Sequence, residues 1–281
     1  MGLKDILVHL DSTTPSATRL KVAAALARRH GAHLTGLYVV DVMMPIMAAA
    51  DAGSGAVLGE VLESLRADAL AEAAKAEAAF QETLRREGIA GEWRVAEGAT
   101  PEHVALHARY ADLAVLGQED PDGAQQAAAA TLEAALFDSG RPVLIVPYAG
   151  SFETIGTRVL VGWNASAQAS RAVHDALPLV APGGSVTISA VNPRRGIDAH
   201  GEEPGADIAR HLARHGLKVQ VEHTVAPEIG AGDMLLNRAS ELSADLLVMG
   251  AYGHSRLRET ILGGVTRTLL RQMTIPVLMA H

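Results

Sequence analysis

The sequence predicts an α/β protein made of two tandem copies of one unit, each copy a parallel sheet covered on both faces by helices. Three observations predict it. First, short apolar runs alternate with segments of helical periodicity along the whole chain. Strands that are apolar throughout belong to parallel sheets buried on both faces. Second, three segments recur in the same order. "KDILVHLDSTTPSATRLKVAAALA" from Lys4 matches "TRVLVGWNASAQASRAVHDALPLV" from Thr157, "ADLAVLG" at 111–117 matches "ADLLVMG" at 244–250, and "RPVLIVP" from Arg141 matches "IPVLMAH" from Ile275. Ordered self-similarity marks an internal repeat. Third, "PYAGSFETIG" at 147–156 interrupts the pattern between the copies. Domains are therefore expected at 1–148 and 153–281.

In the first copy, residues 6–10 read as a strand and 16–29 as a helix with Leu20, Ala24 and Ala27 on one stripe. A strand at 33–40 and a long Ala-, Glu- and Arg-rich helix at 57–86 follow. A short strand is expected at 93–96. Thr100 is placed as the cap of a helix with Pro101 at its first position. Residues 113–116 and 143–146 read as buried strands. The second copy repeats the order with a shorter segment, "PRRGIDAHGEEPGADIARHLARHG", opposite the long helix. Its strand at 244–249 is followed by a glycine-rich stretch and a helix at 265–273.

Composition narrows the function. The 281 residues are 48% hydrophobic but only 3% aromatic, so the core must be aliphatic. A net charge of -8 argues against nucleic acid or an anionic membrane as the default partner. The chain has no cysteine, which excludes disulfides, thiolate metal sites and a thiol nucleophile. No stretch approaches the roughly 18 uninterrupted apolar residues of a membrane span. The start, "MGLKDILVHLDS", reads as a first strand and not a signal peptide. A cytoplasmic location is expected.

The chemistry concentrates in "MGAYGHSRLRETILGGVTRTLLRQ" at 249–272. Gly250 ends a strand, Gly253 permits a turn, and Gly263 and Gly264 open a helix whose free amides and dipole favour an anion. Thr266 offers a hydroxyl, and His254, Arg256 and Arg258 add positive charge. The bland alternative is that these glycines serve only turns and packing. The stretch is neither a P-loop nor a dinucleotide fingerprint, and "GSGAVLG" at 53–59 has the wrong spacing for either.

The G-x2-G-x9-G pattern of Gly250, Gly253 and Gly263 resembles the nucleotide signature of universal stress proteins, as do "VLVGWNAS" and "PVLM". The resemblance covers both halves. It implies two tandem Rossmann-like domains of the adenine nucleotide alpha hydrolase-like type, each with five parallel strands in the order 3-2-1-4-5, and it implies ATP as ligand. By the same resemblance Gly162, Trp163 and Asn164 lie near adenine and ribose, Asn164 standing where the family has an aspartate. Val191 matches an adenine-packing position, and Met249 and Gly250 match the ribose and phosphate approach. Gly253, Gly263, Gly264, Val265 and Thr266 match the phosphate loop. The family has Ser or Thr directly after the third glycine, where this chain has Gly264.

The resemblance also implies that the last strands of the halves pair, 143–146 with 277–280, as an intramolecular pseudo-dimer. A homodimer of the chain is compatible with that. Only the second half is expected to bind nucleotide. In the first, Asp120 stands for Gly253, Ala129 and Ala130 for Gly263 and Gly264, and Leu132 for Thr266, while Glu119, Asp120 and Asp122 crowd the phosphate path.

No catalytic residue and no metal ligand set is assigned. No serine elbow or carboxylate pair flanks the glycines. His211 and His215 sit at i and i+4 on a helix without a third ligand in view, and read first as surface histidines. The loop at 45–57 reads as a plain loop sooner than a lid. The leading reading is a nucleotide-binding stress-response module whose occupied state is read by an effector partner. A slow ATPase or phosphotransferase using His254 and Mg²⁺ is the second reading, and a scaffold without nucleotide the third.

Overall fold

The computed structural model describes residues 2–41, 55–121, 128–193, 203–251 and 264–281. These residues form two compact units. One holds 2–117 and the described part of 121–139; the other holds 118–120 and 140–281.

In the first unit, β1 (Asp5–Leu10) leads to α1 (Pro15–His30), β2 (His33–Val40), α2 (Gly55–Glu87), β3 (Gly91–Glu97), α3 (Thr100–Ala108) and β4 (Leu113–Gly117), with α4 (Ala128–Asp138) beyond. The strands lie in the order β3-β2-β1-β4, all parallel. The reversal of strand order at β1 puts its crossovers on opposite faces of the sheet. α1 ends at Gly31, whose φ of 59° supplies the left-handed residue that stops a helix. β3 is longer than the sequence suggested and half exposed. Its Trp93 packs on Phe80 of α2, with ring centroids 5.4 Å apart.

Thr100 does not cap α3. It is the first residue of the helix, and the carboxylate of Asp41, just past β2, accepts from its backbone N–H at 3.1 Å. The capping oxygen comes from a residue distant in sequence, which local pattern does not reveal.

In the other unit, β5 (Val143–Val146), β6 (Arg158–Gly162), α5 (Ala167–Ala176), β7 (Ser185–Val191), α6 (Ala206–Arg214), β8 (Lys218–Thr224), α7 (Ala231–Glu241), β9 (Leu246–Gly250), α8 (Gly264–Gln272) and β10 (Val277–Ala280) follow one another. The order β8-β7-β6-β9-β10 is the expected 3-2-1-4-5, parallel throughout. β5 then pairs antiparallel with β10, Leu144 opposite Leu278. The pairing expected of the two last strands is present, and it makes the sheet mixed. Both β5 and β10 are fully buried.

The two copies share a device at the amino ends of their strands. The carboxylate of Asp112 accepts from the backbone N–H groups of Lys4 and Asp5, at 2.7 and 3.1 Å. That of Asp245 accepts from those of Gly156, Thr157 and Arg158, each at 3.0 Å. These are the aspartates of the repeated "ADLAVLG" and "ADLLVMG". Each ties the strand before it in the sheet to its own.

Candidate functional site

A doubly wound sheet takes ligands beyond the carboxyl ends of its strands, where the strand order reverses. In the second copy that point lies between β6 and β9, whose ends Gly162 and Met249 are register partners. Beyond β6 the chain turns sharply. Trp163 is half-buried, and its N–H donates to Ser189 O at 2.9 Å. Asn164 is exposed, and Ala165 takes a left-handed φ of 58°. The Oδ1 of Asn164 accepts from Ser166 N at 3.1 Å and from Ser166 Oγ at 2.7 Å, an Asx turn. Ser166 in turn caps α5 by accepting from Ala169 N. With Oδ1 used in the turn, Asn164 presents Nδ2, a donor without a partner among the described residues. A sugar hydroxyl can accept from it.

The glycines separate by function. At Gly250 a Cβ would collide with the backbone of Ala169 and Gln168, so this glycine exists to let the start of α5 rest on the end of β9. At Gly162 a Cβ would lie 3.0 Å from Leu235 of α7. Packing explains both without a ligand. Gly264 differs: it is exposed at the first position of α8, with no atom of the described residues within 4 Å of where a Cβ would stand. Packing among the described residues does not explain a glycine there. Val265 is half-buried, and Thr266 is only 3% exposed, turned into the unit.

α8 is positioned firmly. Gly232 lets α7 approach it so closely that a Cβ would lie 2.9 Å from Thr268. At its far end, buried Gln118 donates from Nε2 to Leu270 O at 2.9 Å and accepts from Tyr148 N at 3.2 Å. Val191 ends β7 opposite Thr224, and Asn192 beyond it binds the backbone of Ala226 through both ends of its carboxamide. Gly253, His254, Arg256, Arg258 and Gly263 lie outside the described residues, as does the loop at 45–54.

The first copy builds the same turn and uses it differently. Asp11 Oδ1 accepts from Thr13 N at 2.9 Å and from Thr13 Oγ1, as Asn164 does from Ser166. Its Oδ2, however, accepts from Arg19 Nη2 at 2.6 Å, inside the unit. Burial alone would raise the Asp11 carboxyl pKa, but the Arg19 charge and the Thr13 hydrogen bonds hold it below the usual range. Burial, reinforced by the Arg19 charge, pushes His9 down to about 4, so its imidazole is neutral near pH 7. Sequence reasoning missed Arg19; an arginine on the otherwise apolar, Ala-rich stripe of α1 was the available signal.

His211 and His215 gain a neighbour that sequence spacing did not show. His174 of α5 lies 4.9 Å from His211 between ring centroids, and His215 lies 4.8 Å from it. Among the described residues no three His, Asp or Glu side chains are placed to hold a metal ion. None of the described helices is long and apolar enough to cross a membrane.

The strand order, which reverses between β6 and β9, defines this half as a doubly wound α/β domain. Residues 157–281 match the model of the universal stress protein family. Over 307 residues the chain is 27% identical to a universal stress protein of Synechocystis sp., covering 98% of this chain and 99% of that one. A universal stress protein structure from Archaeoglobus fulgidus DSM 4304 matches with TM-score 0.72 at 18% identity, over 98% of this chain and 95% of that one. A putative universal stress protein from Pseudomonas aeruginosa UCBPP-PA14 matches with TM-score 0.58 at 15% identity, over 99% and 93%. The structural likenesses are of fold; the resemblance read from the glycine pattern stands in the family match.

Proposed function

We propose that the chain is a nucleotide-binding stress-response protein with a first domain at 1–148 and a second at 153–281, and that the second binds an adenine nucleotide, ATP, with or without Mg²⁺. The observation that carries this reading is the contrast at the two sheet ends. In the second copy the turn after β6 leaves Asn164 exposed with a free donor, and α8 starts at an exposed glycine that packing does not require. Adenine would lie against Trp163 and Val191, and ribose by Asn164 and Met249. The phosphates would meet the stretch from Gly250 through Gly253, His254, Arg256 and Gly263 to the start of α8. Helix amides and dipole there favour an anion. The role is a regulatory one: occupancy of the site is read by an effector protein, in the cytoplasm, and no residue is given a catalytic part. Mass spectrometry of small molecules released by denaturing freshly purified protein tests the ligand class. An adenine nucleotide near stoichiometry is the expected result. Its absence, together with a blank ATP titration, leaves a scaffold without nucleotide.

A further inference from the structure

We propose that the first half carries a ligand position of the same kind, filled from within by the guanidinium of Arg19. The inference rests on the reading of the second-half crevice as a nucleoside site. Asp11 follows the end of β1, Gly117 ends β4, and these strands are parallel neighbours with β2 on the far side of β1. The space beyond them is the point where strand order reverses in the first sheet. Arg19 enters it from α1. Its Nη2 binds Asp11 Oδ2 at 2.6 Å, and its Nη1 lies so close to Gly117 that a Cβ there would collide with it. One guanidinium thus touches the ends of both strands.

Arg19 is only 5% exposed, yet its Nε has no hydrogen-bond partner among the described residues. A buried cation with an unmade donor is a costly way to fill a core. The second copy has Ala172 at the matching position, fully buried in α5. The arginine therefore does something that packing does not ask for. A planar group with several donors, held between a carboxylate and a glycine, makes contacts of the kind a nucleoside would make there. Both oxygens of Asp11 are engaged, one by Thr13 and one by Arg19, so its binding capacity is used internally.

The full-length chain carrying Asp11→Asn and Arg19→Ala has, in its first half, the side chains of Asn164 and Ala172. Gly263→Asp is added to keep nucleotide phosphates out of the second half, whose contacts to an uncharged nucleoside it leaves in place. Adenosine is the probe, because an uncharged ligand does not meet repulsion from Glu119 and Asp120. Calorimetry of this variant should show one adenosine per chain more than Gly263→Asp alone. A variant that is folded by circular dichroism and melting, but binds no more adenosine per chain than Gly263→Asp alone, overturns the proposal. Should Ala at position 19 prevent folding, Asp11→Asn with Arg19→Ser is read by the same criterion. ATP binding by the unaltered chain is measured alongside. Loss of that signal alone would remove the reading of the second half and leave the adenosine result to decide on Arg19.

Discussion

Asp11 and Asn164 close the same turn with the same oxygen, and the remaining side-chain atom decides what each can offer a ligand. In Asp11 that atom holds Arg19; in Asn164 it is a free amide donor. At the start of α8 the hydroxyl that would face a phosphate is missing, since Thr266 is turned inward and Gly264 is bare. Space is not the obstacle. Gly264→Ser should raise ATP affinity about tenfold, the worth of one hydrogen bond to a charged group. Stability should stay within about 0.5 kcal/mol, as for other exposed changes. Calorimetry and thermal melting read the two effects separately.

His9 gives a pH dependence with a definite sign. Its folded-state pKa, near 4, lies below the ordinary value of 6.5, so its share of stability is complete above that value. Protonation of the unfolded chain removes it as pH falls from 6.5 towards 4, to a limit of about 3 kcal/mol. Urea unfolding of the first unit at pH 7 and pH 4.5 should show this fall, and His9→Gln should reduce it. An unchanged pH slope in His9→Gln would assign the fall to other groups.

Strands and helices show which parts of the sequence were legible. Apolar runs located the buried strands, because burial on both faces leaves a signal in every residue; β3 and β8, exposed along much of their length, carry it only in part. The repeated "AD" before β4 and β9 was visible as similarity but not as mechanism: its aspartates bind backbone amides more than 80 residues away in sequence. Thr100 was misread for the same reason, its true capping partner being Asp41. The glycines were legible only as a group; coordinates separate Gly250, which packs, from Gly264, which does not.

Two outcomes follow at this scale. Asp245→Ala leaves three backbone donors at the start of β6 without their acceptor and should cost about 2 kcal/mol by denaturant unfolding. Gly250→Ala forces α5 away from β9 and should cost about 1–3 kcal/mol. A melting temperature unchanged in Gly250→Ala would mean that α5 does not rest on the end of β9 as described.

For the whole molecule, one unit ends its sheet in an internal ion pair and the other in an exposed turn. The same repeat therefore yields two halves that differ in what stands at the turn after the first strand. The sequence pointed to this asymmetry through Asp120, Ala129, Ala130 and Leu132, and through the acidic residues beside them. The structure adds a nearer cause, Arg19 against Gly117. The most direct test of the account is calorimetric titration of the intact chain with ATP, beside the Gly263→Asp variant. The account predicts about one site per chain, weakened at least about tenfold by Gly263→Asp in a folded protein. Two equivalent sites, or undiminished affinity in that variant, would contradict it.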